Sequence, residues 1–575
     1  MLIDRVEIKG FRNFSSAIIN FKRNTLIIGA NNVGKTNLIY ALRLLLDKAL
    51  SLADIEPDES DFHISRRGKT AASFSITLFF SEAKEDAVLA SLKGNIGDDE
   101  KFVLQYLARR SNLSYQVSIG PTKDELDVVE SRFYLKYISM RYVKSRRDLE
   151  KYISLEKKQL LKLSLDSISQ ADSQSDHREM VKIGKALESV NERIRNLHYV
   201  QEATASVNEE LQKLAHDFSD YEVKLDSGAI QVQQFIDSLK LGASTSGSTV
   251  MLGGDGRNNQ ILMALWKAKS QREHDPDSEV VFFCIEEPEA HLHPHQQRKL
   301  ADYLIHDLPG QTLITTHSPQ ITARYTPDSI VHLKVRDFST TAASNGCSSC
   351  ISKAWDNLGY RMSILPAEAF FSKCVLLVEG PSELLFYSEL AKQLKLDLDF
   401  YNISMLAVDG IQFDVYIKIL NAMEIPWVMR TDNDVSNITK GGVKLRNLAG
   451  INRCHVAAKL KKLAHRPLGT TNKSVVVDGT WKVVSDDVNP LGIYLSRIDL
   501  ENDLAEELLP EILEFARRKT KNKTIAIDDA IKYLQGKKAI RMRELLLEIG
   551  PKVGALSSGH LAKPLLRAID VAQRC

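Results

Sequence analysis

No apolar run in this chain approaches the roughly 20 residues that a bilayer-spanning helix needs. The first residues, Met-Leu-Ile-Asp-Arg, lack a signal-peptide core. A cytoplasmic protein with no membrane partner is expected. Cysteine is scarce, with 6 in 575 residues, and its scatter excludes a disulfide framework. Cys347-Ser-Ser-Cys350 has no second ligand pair close by, whereas structural zinc takes four ligands, so two thiols in a polar loop are expected.

Two further absences are local. Glycine and proline nearly vanish between Val143 and Phe218, where Leu149–Leu163 and Met180–Phe218 are charged and helical in period. The polar stretch 164–176 between them reads as a loop, and the whole as a helical insertion that either packs on its own chain or joins two chains. Asp and Glu are missing from Val435 to Val477, while Lys440, Lys444, Arg446, Arg453, Lys459, Lys461, Lys462, Arg466 and Lys473 accumulate. Arg517–Lys523 forms a second basic cluster. Such runs are ordinarily solvated faces. These flank acidic clusters able to bind metal, so a phosphate-binding role, and hence DNA, is the better reading.

What is present begins with Gly29-Ala-Asn-Asn-Val-Gly-Lys-Thr36, which fits G-x-x-x-x-G-K-[ST]. A short apolar strand, Thr25–Ile28, precedes it, and a helix pattern, Asn37–Leu46, follows. Gly29, Asn32 and Gly34 shape a loop whose N–H groups close on phosphates. Lys35 adds a point charge, and Thr36 offers a hydroxyl to Mg²⁺. Val280–Ile285 is a buried strand pattern ending in Glu286-Glu287-Pro-Glu289, which delivers carboxylates beside those phosphates. Glu286 would hold the Mg²⁺ shell and Glu287 would polarise water. Thr312–Thr316 leads to His317, within reach of a γ-phosphate. His291, His293 and His295 alternate after the acidic strand and read as an interface loop rather than a metal site.

In the C-terminal half, Cys374–Val378 ends in Glu379-Gly-Pro-Ser-Glu383, and Pro426–Thr431 ends in Asp432-Asn-Asp434. Carboxylates at the ends of adjacent parallel strands converge, and oxygen ligands of this kind suit Mg²⁺ or Mn²⁺. Asp499-Leu-Glu501-Asn-Asp503 adds more, and Lys537-Lys538 opens a later helix. Residues 339–352, rich in Ser and small side chains, read as a loop before this half.

The ordered set in the N-terminal half resembles the ATP-binding-cassette ATPases of the RecF, SMC and Rad50 kind. That resemblance makes Gly254, Gly256 and Arg257 a candidate signature reaching the nucleotide of a partner head. The strand–Glu, strand–Asp-x-Asp order resembles the Toprim fold. The two in series resemble the overcoming lysogenization defect (OLD) family of nucleases over the full length, and within it the nuclease subunits of Gabija anti-phage systems. Carrying the resemblance are Phe11–Phe14, Gly29–Thr36, Asp61 and His63, Gly254–Arg257, Ile285–Glu289, Thr316–Pro319, Val378–Glu383, Thr431–Asp434, Asn452–Cys454 and Asp499–Leu504.

The expected fold is therefore α/β: an ABC-type head over 1–145 and 241–345, a helical dimerisation insertion over 146–240, and a Toprim domain over 346–575. The resemblance implies a divalent-metal-dependent DNA endonuclease of antiviral defence, with ATP and Mg²⁺ at the head controlling the Toprim site. Glu379, Asp432 and Asp499 would be central ligands of two metals, with Glu383, Asp434 and Glu501 near them and Lys538 on the scissile phosphate. It also implies a homo-oligomer and a UvrD-like helicase partner. The alternatives are an ATP-driven DNA clamp with a non-cleaving Toprim-like domain, and a strand passer, for which no tyrosine stands out.

Overall fold

The computed structural model describes residues 1–144, 149–214, 232–239, 241–245, 248–251, 261, 264–265, 268, 279–290, 292–308, 310–347, 367–408, 413–521 and 524–574. Among these no helix is long and apolar enough to cross a membrane.

The N-terminal half stacks two sheets. The first is antiparallel, in the order Phe14–Asn20, Leu2–Phe11, Ser73–Ser81, Phe102–Arg109, Ser114–Gly120, Asp127–Val129. Its alternation has a visible cause: Ile3, Val6, Ile8 and Phe11 are buried and face Ile76, Leu78 and Phe80.

The second sheet carries the phosphate loop. Its strands are β1 (Asn24–Ile28), β2 (Ile138–Val143), β3 (Val280–Glu286), β4 (Thr312–Thr315), β5 (Ile330–Arg336) and β6 (Ser339–Ala342), in the order β6-β5-β1-β4-β3-β2. All neighbours are parallel except β5 and β6. β3 is buried at every position, as a central parallel strand covered on both faces must be. α1 (Lys35–Leu46) follows β1, and α2 (Pro294–His306) follows β3.

Helices Leu149–Asp166, Gln170–Arg195 and His198–Leu214 make the insertion. The loop expected over 164–176 is far shorter, because the Ser169 side chain accepts from Asp172 N at 3.2 Å and starts the second helix. With no Gly or Pro in the stretch, a polar sequence remains helical on a solvated face. The loop expected over 339–352 is also partly strand: Ser339–Ala342 pairs with β5.

The C-terminal half is built on a four-stranded parallel sheet of β7 (Cys374–Val378), β8 (Ile403–Ala407), β9 (Trp427–Thr431) and β12 (Ile493–Leu495), in the order β8-β7-β9-β12. A two-stranded hairpin, β10 (Ser436–Lys440) and β11 (Val443–Asn447), leaves the sheet after β9 and turns at Gly441-Gly442, both at positive φ. The helices that frame the site are α3 (Pro381–Gln393), α4 (Phe413–Ala422), α5 (Ala449–Ala457), α6 (Leu500–Glu507), α7 (Ile527–Gln535) and α8 (Lys538–Val553).

The two halves share apolar core. Leu26, Ile28 and Ile330 belong to the same buried cluster as Leu420, Met423 and Ile425. At this seam His332 Nδ1 lies 2.9 Å from Met423 O, and Lys334 and Arg336 both pair with Glu424.

Candidate functional site

Strand β1 delivers the chain into the phosphate loop, where Gly34 takes φ 107° immediately before α1. A Cβ at Gly34 would stand 1.8 Å from Asn13 Nδ2, so both backbone angle and space require glycine. Lys35 Nζ donates to Gly29 O and Ala30 O, each at 2.9 Å. Burial lowers the Lys35 pKa, with Glu287, Glu286 and Glu289 acting in the opposite sense. A cavity of about 590 Å³ lies here, lined by Asn31, Asn32, Lys35, Thr36, Glu287 and His317 among others. That volume suits a nucleotide-sized ligand.

Two further carboxylates, Glu286 and Glu289, flank Glu287 at and after the end of β3. Glu286 Oε2 accepts from the Tyr142 hydroxyl at 3.0 Å, while its Oε1 is buried without a partner. Burial raises the Glu286 pKa, and the Thr36 hydroxyl acts against that rise. Glu289 Oε1 accepts from Thr316 Oγ1 at 2.7 Å and from His317 N at 2.8 Å, which fixes the turn after β4. His317 Nε2 stands 3.6 Å from Glu287 Oε1, and burial with Lys35 nearby lowers its pKa. An orphaned carboxylate oxygen beside a threonine hydroxyl fits Mg²⁺ carried on a nucleotide.

The site residues expected in this half gather at and around one cavity, except Gly254, Gly256 and Arg257, which lie outside the described residues. Of the alternating histidines, His291 is also outside them. His293 caps α2, and His295 Nδ1 lies 2.7 Å from Arg298 Nη2. Cys350 lies outside them too, whereas Cys347 packs 3.9 Å from Thr25 Oγ1, its thiol pushed up to about 12 by burial.

The second cluster sits at the C-terminal edge of the parallel sheet. Glu379, after β7, accepts from Asp432 N at 2.7 Å and from Arg453 Nη1 at 3.1 Å. Arg453 also donates to Asp434 Oδ2 at 3.1 Å and to Thr431 Oγ1. The loop after β9 is held close by α5: a Cβ on Gly450 would meet Asp432 O at 2.2 Å. Asp499 caps α6 through Asn502 N at 2.9 Å and accepts from Gln535 Nε2 at 2.7 Å. Lys538 Nζ lies 3.9 Å from Asp432 Oδ2 and 3.8 Å from Glu501 Oε2, whereas Lys537 takes the N-cap position of α8.

Crowding shows in the protonation balance. Burial, then Glu379 and Glu383, raises Asp432 well above the carboxylate range. Burial lifts Glu501 to about 7, and neither of its buried oxygens has a hydrogen-bond partner. Among the described residues no three such side chains are gathered closely enough to hold an ion as they stand. The donor set nonetheless fits a hard cation: all ligands are oxygen, and Glu501 presents two free ones. Arg453 and Lys538 are the positive charges that a cation would displace or join.

Glu501 yields a pH prediction. Its folded pKa lies above the ordinary value of 4.5, so the folded state binds the extra proton and loses stability as pH rises from 4.5 through about 7. The shift corresponds to about 3 kcal/mol. Without divalent metal, Glu501→Gln is expected to melt higher than wild type at pH 8 and equally at pH 4. Thermal scans at the two pH values check this.

Sequence reading missed the cation beneath the site. Arg430 in β9 is fully buried, donates to Asp503 Oδ2 at 2.8 Å, and stands 3.8 Å from Glu383 Oε1. A charge inside an apolar strand was the available signal. The basic cluster at Arg517–Lys523 is not a free phosphate surface throughout, because Arg518 pairs with Glu548 at 2.8 Å and Lys519 with Glu548 at 3.4 Å.

Residues 1–130 and 112–322 match the AAA ATPase domain family, and residues 370–434 match the overcoming lysogenization defect protein-like TOPRIM domain. The chain is 24% identical to Endonuclease GajA of Bacillus cereus (strain VD045), with 96% of each chain covered. It is 22% identical to the OLD nuclease of Thermus scotoductus over 76% of this chain and 82% of that protein. Against the Old nuclease of Escherichia phage P2 the identity is 24%, over 75% of this chain and 77% of the other.

Proposed function

This chain belongs to the AAA ATPase domain family and carries a match to the OLD-like TOPRIM domain, and on that premise we propose that it is an OLD-type DNA endonuclease whose TOPRIM site is controlled by nucleotide at the ATPase head. The observation that carries this reading is the acidic cluster at the ends of β7, β9 and β12, with Lys538 beside it. Glu379, Asp432, Asp434, Asp499 and Glu501, with Glu383 beneath, would hold Mg²⁺ or Mn²⁺, one ion or two. When bound, the metal supplies Lewis-acid charge and an activated water at a phosphodiester. Lys538 places its ammonium where charge builds on the scissile phosphate. Asn502 and Gln535 orient Asp499, and Arg430 offsets part of the buried negative charge.

At the head, Lys35, Thr36, Glu286, Glu287 and His317 would bind ATP with Mg²⁺. Control requires ATP to favour one arrangement of the protein over another, since equal affinity shifts nothing. The seam at His332, Lys334 and Glu424 supplies a physical route between the two sites. Exposed Leu155, Val181, Val190 and Val207 on the insertion helices support self-association. A role in anti-phage defence beside a helicase partner follows from the Gabija-like resemblance, and an adjacent helicase gene would support it. A second reading, an ATP-dependent DNA clamp that does not cut, draws on Arg453 binding Glu379 and Asp434.

Cleavage of plasmid and linear duplex DNA in Mg²⁺ or Mn²⁺, with and without ATP, separates the two. We expect cutting that ATP suppresses in the wild type and that Lys35→Ala frees from suppression, because the point charge on the phosphates is gone. A protein that binds DNA yet never cuts under any of these conditions supports the clamp. Arg453→Ala is expected to tighten Mn²⁺ binding, measured by the loss of free-ion paramagnetic signal, since guanidinium and metal compete for Glu379 and Asp434. Unchanged affinity would remove that competition.

A further inference from the structure

Beside the acidic cluster lies a second cavity, of about 610 Å³, between the β10–β11 hairpin, α4 and α5. Phe413, Asn447, Arg453, Ala457, Lys462 and His465 line it. Arg453 is the wall it shares with the carboxylates, because the same guanidinium reaches Glu379 and Asp434 and stands 5.5 Å from the Phe413 ring centroid. The volume falls within the range of small-ligand sites.

The lining has a distinct chemistry. Phe413, only 2% exposed, contributes the edge of an aromatic floor, Asn447 an amide, and Lys462 and Arg453 positive charge. His465 Nδ1 is buried with no hydrogen-bond partner. Asp414 is the one carboxylate of the lining, and Lys418 donates to it at 3.3 Å. Every lining residue from Ile438 to His465 falls in the stretch that lacks Asp and Glu, and exposed Lys440 and Lys444 continue the positive surface along the hairpin. An aromatic floor, an amide and cations together match the base, the base edge and the phosphate of a nucleotide.

We infer that this cavity receives one unstacked nucleotide of the bound DNA strand, adjacent to the phosphate presented to the acidic cluster. The inference rests on the nuclease reading and adds to it a fixed neighbour for the cut site. One arginine side chain separates the two sites, so the occupant is the next nucleotide along the strand rather than a distant one. Taking a base out of the stack favours mismatched or weakly paired positions, which gives the enzyme a source of selectivity without a groove-reading helix.

The test uses duplex DNA carrying 2-aminopurine, whose fluorescence rises on unstacking, at each position around a mapped cut site. The full-length protein is held from cutting by Ca²⁺ during the fluorescence measurement and then given Mg²⁺ to read cleavage. A several-fold rise is expected at a single position next to the scissile phosphate. Ala457→Trp, which fills the cavity, should abolish the rise and slow cutting by roughly tenfold, with DNA still bound. Lys462→Ala, an exposed change that keeps the fold, should reduce the rise. Free 2-aminopurine nucleotide binding as tightly without DNA would overturn the assignment to the strand. Cutting without any rise, or a rise that Ala457→Trp leaves intact, overturns the cavity assignment and leaves the nuclease reading standing. Where the wild type never cuts, the probe is stepped along the whole duplex instead: a rise at one position then keeps the cavity assignment and overturns the nuclease reading, and no rise overturns both.

Discussion

Glu379→Ala is expected to slow duplex cleavage in Mg²⁺ or Mn²⁺ by roughly 10³-fold or more, equivalent to about 4 kcal/mol of lost transition-state stabilisation. Glu379 sits at the meeting point of the site. It accepts from Asp432 N, and its other oxygen takes the Arg453 guanidinium. Its removal deletes the oxygen donor proposed as a central metal ligand and also frees the loop after β9, so both charge and position are lost. Nucleotide binding at the head should survive, because Lys35, Thr36, Glu287 and His317 line a different cavity. Nicking of supercoiled plasmid, with ATP affinity measured on the same preparation, reads both. A variant that still cuts at the wild-type rate would move the scissile chemistry elsewhere.

The second large effect concerns stability. Arg430→Leu is expected to destabilise the C-terminal half by roughly 3–5 kcal/mol, because it strands Asp503 and Glu383 as buried charges. Asp503 is itself pushed up to about 6 by burial, and Arg430 opposite only partly offsets this. Leucine fills much of the volume, so packing loss is the smaller part. Arg430→Leu combined with Asp503→Asn should regain part of the loss, since the stranded charge is then gone. Urea titration followed by the fluorescence of Trp427 and Trp481 measures it. An Arg430→Leu protein as stable as wild type would mean that the buried pair contributes nothing net.

The expected fold class was legible because each key strand is a short apolar run with its polar chemistry at the end. Val280–Ile285 and Cys374–Val378 can be read directly, and the strands ending at Glu379 and Asp432 read as parallel neighbours, as the β7–β9 pairing has them. Of the two lysines at the start of α8, it is Lys538 whose ammonium approaches Asp432 and Glu501. Arg453 was part of a recognised motif without an assigned role. Nothing in Asn-Arg-Cys tells which carboxylates a guanidinium will find 19 and 74 positions away along the chain. Arg430 was passed over because strand periodicity registers burial and is blind to pairing. The first turns of the helix from Gln170 read as loop for the opposite reason: their polar residues lack an apolar stripe, so the amphipathic signal is weak where the backbone preference is sound.

The seam between the halves bears on how such proteins can be recombined. Strand β5 lies in register against β1, with His332 opposite Ile28, at the mouth of the phosphate loop. The same strand carries Lys334 and Arg336 to Glu424, just ahead of the strand that ends at Asp432. A TOPRIM unit excised from Ala367 onward would take Leu420, Met423 and Ile425 away from their apolar neighbours and leave Glu424 without its two cations. Grafted onto a foreign ATPase, it would keep the two cations of Glu424 and the Ile330 contact with this cluster only if the Ile330–Ala342 hairpin travelled with it. The exchangeable cassette in this architecture therefore begins inside the head, one hairpin earlier than the boundary between the two chemistries.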